Sequence, residues 1–378
     1  MVGMSMTSNF DLVIVGGGII GAWALHHAVE RYPHWKILLI DRYRIGDGAT
    51  SHSAGVLLAT GRSNRERRLA GQSAKLYKAL RDQFSIRTTQ APVYWLADKR
   101  LSTEILRAAV DFDVQPAEIS ESVLGARMGS RLNVGGAECL LRGGSAESYE
   151  PPLVARLLIS NCLKSANINC IEGLGITGIR RSPRGTQLSL SDGASINSQR
   201  VLVATGPWIS EPPFEAIATV NDLRVKKVVA LHIEGVPAPD APALFMPQSD
   251  AYLMPLPARN QWLFSFRCDE WDVRPRKHEL EISGHDLKVA KSILTQYLPD
   301  LDPLCRGGRV FCDSYSPSGE SLVTVDRSLN VVFAGSGSGA GFRLAPGIAS
   351  EALELIVSEY PDRMVTVDPK MTCLEELK

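Results

Sequence analysis

Apolar positions fall in short bursts along this chain, and their period changes from one stretch to the next. DLVIV (11–15) and ILLID (37–41) have the length and density of buried strands, and the intervening IIGAWALHHAVER reads as a helix. Residues 64–84 carry Leu69, Leu76, Leu80 and Phe84 at helical spacing, which predicts an amphipathic helix with its arginines on a solvated face. APVYWLAD reads as a strand and ISESVLGARM as a short helix. Pro151 and Pro152 then open a helix carrying Leu153, Leu157, Leu158 and Leu163. Strands are expected at 176–181, 186–190 and 195–204, separated by PRG and DG turns.

The texture changes after residue 215. VKKVVALHIEG, APALFMP, DAYLMPL and QWLFSFRCDEW are strand-like in succession, as in an antiparallel sheet inserted into another fold. Helix returns at 278–297 and strand at 309–312 and 321–326. The last segment is VVFAG, a glycine-rich turn and a helix ending near Tyr360, with Pro346 expected in its first turn. No internal repeat is visible.

The junctions between these elements carry the chemistry. The first strand runs into Gly16-x-Gly18-x-x-Gly21, and the second ends on Asp41, twenty positions after Gly21. Gly16 permits a tight turn, Gly18 lets backbone approach a pyrophosphate, and Gly21 allows close packing of helix on strand. Asp41 suits an adenosine ribose, so strand, helix, strand and acid together read as an ADP-moiety site. A carboxylate there disfavours the extra phosphate of NADP, an effect that the adjacent Arg42 softens. NAD and FAD both fit this motif.

Composition narrows the partners. The chain has 378 residues, 44% of them hydrophobic, enough for two domains with sizeable cores. Lys+Arg and Asp+Glu number 41 each, so no global field favours nucleic acid or an anionic membrane, and small molecules are the expected partners. No apolar run approaches the ~20 residues of a membrane span. Residues 1–10 lack an export-signal pattern, and the seven cysteines contain no C-x-x-C pair. A reducing, cytoplasmic compartment with neither disulfide framework nor metal cage is the expectation.

The C-terminal VVFAGSGSGAGFRLAPG repeats the logic of the first motif some three hundred residues later. Gly335, Gly337, Gly339 and Gly341 strip side chains from a loop that feeds a helix, whose N-terminus offers N–H donors and partial positive charge. Such an end would stabilise a reduced isoalloxazine, which is negative near N1 and the C2 carbonyl. NAD needs no second site of this kind, whereas FAD does.

In order and spacing, GGGIIG with Asp41-Arg42, GATSHSAG, SYEPPLVARLL, VLVATGPW and GSGSGAGFRLAPG make residues 10–360 resemble the D-amino-acid oxidase superfamily of flavoproteins, which includes glycine and sarcosine oxidases. The resemblance implies an α/β fold with a Rossmann-like FAD-binding domain (1–60, 142–214 and 318–378) and a second, antiparallel-sheet substrate domain (61–141 and 215–317). It implies oxidation of a C–N bond by hydride transfer to flavin N5. Carried over by position, Gly16, Gly18, Gly21, Asp41 and Arg42 form the ADP set. Ala49, Thr50 and Ser51 meet the pyrophosphate and ribityl chain, and His52, Ser53 and Gly55 lead toward the ring. Ile176 meets adenine, Thr205, Gly206 and Trp208 belong to the second FAD strand, and Gly339, Gly341, Phe342, Arg343 and Leu344 lie over the pyrimidine edge.

Departures from the family bear on substrate. Ala340 stands where several relatives have a histidine, and Arg343 where sarcosine-oxidase-like members have a lysine. Arg343 is read as a grip on a substrate carboxylate, as a cation polarising the flavin, or as an arginine that is merely solvated or paired to an acid. Asp313 stands in place of the arginine that holds the substrate's carboxylate, so an amine, an amidated or carrier-bound amino acid, or a substrate bound in another orientation is expected rather than a simple free amino acid, unless Asp313 is turned outward. Arg267 falls near the lysine that relatives use in the reaction of reduced flavin with oxygen, or is a strand arginine facing solvent. Cys312 lies within one position of a flavin-tethering cysteine, or is a small buried hydrophobe with the FAD held non-covalently. His52 and Tyr315 are candidates for holding the amine or a water. The leading expectation is an FAD-dependent amine or amino-acid oxidase or dehydrogenase, acting alone or as a homo- or hetero-oligomer. Its rivals are a flavin-carrying subunit of a hetero-oligomeric dehydrogenase, a 2-hydroxy-acid dehydrogenase, and a non-catalytic binding protein.

Overall fold

The computed structural model describes residues 9–100, 114–183, 185–276 and 279–361. The remaining parts of the expected domains, residues 1–8, 101–113 and 362–378 among them, lie outside the described residues. Two sheets organise the chain. The first has eight strands: β1 (Asn9–Val15), β2 (Ile37–Asp41), β7 (Ile168–Glu172), β8 (Ile176–Ser182), β9 (Gly185–Leu190), β10 (Ser195–Val203), β16 (Leu322–Asp326) and β17 (Val331–Gly335). The second has nine: β3 (Val56–Leu57), β4 (Thr89–Asp98), β5 (Gln115–Pro116), β6 (Glu138–Ser148), β11 (Arg224–Glu234), β12 (Ala243–Met246), β13 (Ala251–Leu256), β14 (Gln261–Phe266) and β15 (Cys305–Tyr315). The helices are α1 (Ile19–Arg31), α2 (Ala49–His52), α3 (Asn64–Phe84), α4 (Glu121–Met128), α5 (Pro151–Cys162), α6 (Glu215–Val220), α7 (Gly284–Tyr297) and α8 (Gly341–Glu359).

In the first sheet the order is β16-β17-β10-β1-β2-β7, and β17, β10, β1, β2 and β7 run parallel. From Leu12 to Val15 β1 is apolar, because both of its faces are covered there. Leu12 and Ile14 pack with α1, α5 and α8, and Val13 and Val15 pack beneath the β8–β9 hairpin with Leu188 and Leu190. This is the expected Rossmann-like α/β unit. The second sheet is antiparallel as expected, apart from the parallel pair β4–β12.

Several local expectations are corrected by packing. The expected boundary at 141/142 cuts through β6, which pairs with β4 along its whole length. The α3 helix, assigned to the substrate side, shares the core of α1 and α8: Tyr77 packs edge-on against Trp23 at 5.4 Å, and Ser73 Oγ accepts from Gly347 N at 3.2 Å. Its arginines are not merely solvated, since Arg65 and Arg68 both bind Glu351 of α8 (2.6 and 2.8 Å). In α5 the buried face is Val154, Ala155, Leu158, Ile159 and Cys162, while Leu153 and Leu163 are exposed. Pro346 sits inside α8 rather than in its first turn, because the helix already begins at Gly341. Proline has no N–H for the carbonyl four residues back. That carbonyl, of Phe342, accepts the Tyr77 hydroxyl instead (2.7 Å).

A buried ion pair holds α7 against the outer face of the second sheet. Lys227 Nζ binds Asp286 (2.7 Å) and Glu270 (2.9 Å). The ammonium thereby takes the place of a cation in the one group of potential metal ligands found among the described residues, Cys268, Glu270 and Asp286. The six described cysteines are free. Among the described residues no helix is long and apolar enough to cross a membrane.

Candidate active site

A cleft of about 1120 Å³ runs from the β1–α1 turn, across the ends of the parallel strands, to the face of the second sheet. Its first end is set by backbone. Gly16 has φ +112°, and a Cβ there would lie 2.4 Å from the Ala204 carbonyl oxygen. A Cβ on Gly21 would lie 1.9 Å from the Gly16 oxygen, so Gly21 packs helix against turn and does not line the cleft. Gly18 does line it, and Thr50 Oγ1 accepts from the next amide, Ile19 N, at 3.0 Å.

Asp41 reaches the same end. Its Oδ2 accepts from Gly17 N (2.6 Å) and its Oδ1 from Tyr43 N (2.7 Å), which fixes the carboxylate while leaving lone pairs for further donors. Burial raises its proton affinity, with those two amides working against the rise. Arg42 is tied to Glu211 at 2.9 Å and lies over the Tyr43 and Trp208 rings, and Ile176, Thr205, Gly206 and Trp208 complete this wall.

Ala49, Thr50, His52, Ser53 and Gly55 line the middle of the cleft. Ser51 does not: its hydroxyl turns back to the Gly48 carbonyl at 2.8 Å. The His52 ring is oriented by Ser51 Oγ (3.0 Å) at Nδ1 and stacks on Phe311 with centroids 5.7 Å apart.

The glycine-rich C-terminal loop forms the far rim. Ser336, Ser338 and Gly339 all have positive φ (51°, 48° and 83°), and the loop is stitched to β15. Tyr315 bridges to Gly337, Ser338 N donates to the Ser314 carbonyl (3.3 Å), and Gly339 N donates to Asp313 Oδ2 (3.2 Å). Helix α8 starts immediately after, with Ala340 at its cap offering no side-chain acceptor to the first-turn amides. Gly339, Gly341, Phe342 and Arg343 line the cleft, whereas Leu344 is turned into the core. Arg343 Nη1 donates to both the Thr60 hydroxyl (2.7 Å) and the Thr60 carbonyl, and burial lowers its pKa to about 10, where it is still a cation at neutral pH.

Alternation along β15 sorts the remaining candidates. Phe311, Asp313 and Tyr315 face the cleft; Cys312 faces away, and burial pushes its thiol up to about 12. Burial also pushes the Asp313 carboxyl up to about 6, against the pull of the Gly339 and Ser314 amides. Arg267 lines the mouth, but its guanidinium is largely exposed and paired with Asp269 at 2.9 Å. Besides Arg343, a buried cation of this end is Lys226, directly opposite Asp313 in the β11–β15 ladder. Its Nζ lies 5.2 Å from the Trp271 ring centroid and 5.0 Å from that of Tyr315. The sequence reading missed Lys226, Arg62 and the aromatic floor of Trp95, Phe245 and Tyr252, all of which line the cleft.

These surroundings fit an FAD. Gly206 has open space where a Cβ would stand, and at Gly339 only the Tyr315 hydroxyl, 3.5 Å away, would touch one. Two cleft-lining hydroxyls, Thr205 Oγ1 and Ser336 Oγ, are buried without a protein partner.

Comparison with known proteins agrees. A family model described as FAD dependent oxidoreductase (DAO) matches residues 11–355. The L-proline dehydrogenase of P. horikoshii has a TM-score of 0.77 at 17% identity, with 94% of this chain and 95% of that one covered. Glycine oxidase from Geobacillus kaustophilus gives 0.73 at 19% identity, covering 93% and 94%. NikD, an unusual amino acid oxidase essential for nikkomycin biosynthesis, gives 0.74 at 16%, also covering 93% and 94%. At such identities the likeness is one of fold. The mitochondrial pyruvate dehydrogenase phosphatase regulatory subunit of Mus musculus is 26% identical over 136 residues, 35% of this chain and 15% of that protein's length. With a model match over most of its length and the cradle described above, the chain belongs to the DAO family of FAD dependent oxidoreductases.

Proposed function

We propose that the protein oxidises the C–N bond of an amine or amino-acid-derived substrate to an imine. When bound, FAD supplies the hydride acceptor; Gly16, Gly18, Asp41 and Arg42 would hold its ADP end, and the loop of Gly339 and Gly341 its ring end. The observation that carries the reading is Asp313, a carboxylate facing the cleft beneath that loop, with no Lys or Arg in ion-pair distance among the described residues. A neutral amine that loses hydride from its α-carbon becomes an iminium, and the positive charge that develops on nitrogen is stabilised by a carboxylate beside it. Asp313 binds the substrate nitrogen before the reaction and compensates its charge afterwards. His52 and Tyr315 orient the amine, and Arg343 and Lys226 supply positive charge at the ring end of the cleft. The FAD is held non-covalently, since Cys312 faces the wrong side of β15.

Anaerobic addition of amines, amino acids and amidated amino acids to the yellow protein tests this directly. Bleaching of the flavin band by amines, and release of the flavin on acid precipitation, are expected. A panel in which 2-hydroxy acids bleach the band and amines do not would overturn the reading. The stretch shared with a mammalian regulatory subunit supports a second reading, a flavin-carrying subunit in an assembly. A protein reduced by substrate yet inert to oxygen would favour it.

A further inference from the structure

The floor of the cleft continues past the residues assigned above. One row crosses the second sheet: Arg309 pairs with Ala230, Ala230 with Ser265, Ser265 with Tyr252, Tyr252 with Phe245, and Phe245 with Trp95. Directly paired residues project from the same face of a sheet. The last five all line the cleft, and the rings of Trp95, Phe245 and Tyr252 follow one another with centroids 5.0 and 5.3 Å apart. The row therefore leads from an aromatic wall to a guanidinium.

That guanidinium has no ion-pair partner among the described residues. Arg309 Nε is buried with no hydrogen-bond partner, and so is Nε2 of His232, which stands two residues beyond Ala230 on the same face of β11. No hydrogen bond or ion pair of the Arg309 side chain occurs among the described residues. Burial lowers the pKa of Arg309, and repulsion from Arg259 lowers it further. His232 is likewise lowered by burial and then by Arg309 and Arg259. Glu150, the one carboxylate whose field reaches Arg309, is already bound by Arg259 at 2.6 Å. Burying a charge without a partner is costly, and chains that tolerate it commonly meet the partner in a ligand.

We propose that Arg309, with His232 beside it, is an anion subsite just beyond the lining of the cleft, one position along the row from Ala230 and on the β15 face shared with the cleft-lining Phe311. It receives a carboxylate or phosphate borne on the distal end of the molecule whose amine is oxidised. The site itself stands on the sheet geometry; the identity of the groove's occupant rests on the function proposed above. Asp313 and Arg309 lie four residues apart on one face of β15, a separation of about 13 Å along the strand. An α-amino acid, whose two charged groups share one carbon, does not span that distance. An extended substrate with an amine at one end and an anion at the other does.

Calorimetric titration of the FAD-loaded full chain, whose pyrophosphate site is filled, tests the proposal without any turnover. The probes are glutarate and inorganic phosphate. One site per chain is expected, weakened at least tenfold in both Arg309→Met and Arg309→Gln and retained in Lys226→Met. Because the arginine is uncompensated in the absence of ligand, the Arg309→Met protein is expected to melt no lower than the parent. Tighter binding of glutarate than of phosphate supports a substrate-borne anion, whereas equal binding overturns that part in favour of a free-ion site. Absence of binding, or loss of it in Lys226→Met with Arg309→Met unaffected, overturns the subsite. These readings stand apart from the amine panel, so either proposal fails without the other.

Discussion

Asp313 joins two tasks in one side chain, fixing the Gly339 amide and presenting negative charge to the cleft, and burial makes the second task pH-dependent. The folded chain holds the proton of this carboxyl up to about 6, against a usual value of 3.8. More protons are therefore bound folded than unfolded between those values, and this group's contribution to stability falls as pH rises from about 4 to about 6. Asp313→Asn is expected to remove that slope, so that urea unfolding shows the variant gaining on the parent between pH 4 and 7. Its amine affinity relative to the parent is expected to fall over the same interval, as the parent's carboxylate ionises. A parallel pair of pH profiles would refute the assignment. That Asp313 faces inward was not legible in the sequence, because facing is decided by register. CDSY and VKKV each place two chemically plausible residues side by side, and only the folded strands show that Asp313 and Lys226 face the cleft while Cys312 turns away and the Lys227 ammonium is drawn to Asp286. The glycines were legible because their requirement is local: no side chain fits at Gly16 or Gly21 whatever the rest of the chain does.

At the scale of elements, the join between α3 and α8 turns on a missing hydrogen bond. Pro346 cannot bond the Phe342 carbonyl, and Tyr77 supplies the donor from the neighbouring helix. Tyr77→Phe strands that buried carbonyl, at an expected cost of about 1–3 kcal/mol. In a Pro346→Ala background the restored helical N–H fills the gap, so the same replacement is expected to cost at least about 1 kcal/mol less. A double-mutant cycle by chemical denaturation measures this coupling, and strict additivity would refute it. Helical spacing identified α3 itself from Leu69 and Leu80, but its partner lies some 270 positions on and left no trace in the local pattern. The same limit explains the misplaced face of α5, where leucine spacing suggested Leu153 and Leu163 and the smaller Val154 and Ala155 are what the neighbouring α1 accepts.

For the whole molecule, cofactor and fold are linked, because the glycine turns at both ends of the cleft belong to the parallel sheet. A ligand that binds only the folded state stabilises it, by about 2.7 kcal/mol at one hundred times its dissociation constant. FAD is expected to raise the melting temperature of the parent. Gly16→Ala, whose methyl would meet the Ala204 carbonyl at 2.4 Å, is expected to melt lower and to show no such rise. A full FAD-induced shift in that variant would show that the β1–α1 turn is not the ADP end. The two-sheet architecture was legible from the change of texture after residue 215, whereas the strand order was hidden, since β1's neighbours β10 and β2 come from segments far apart in the chain.

The contact between His27 of α1 and the Pro346 carbonyl of α8, at 3.1 Å, spans 319 positions. On the ribosome this means that β1 and α1 emerge long before α8, which packs on them. Until α8 has cleared the exit tunnel, the part of α1 that packs on α8 has no lid, and the rim that would grip the ring end of FAD has not been made. Capture of FAD at both ends of the cleft therefore waits on α8, however early the β1–α1 turn has formed.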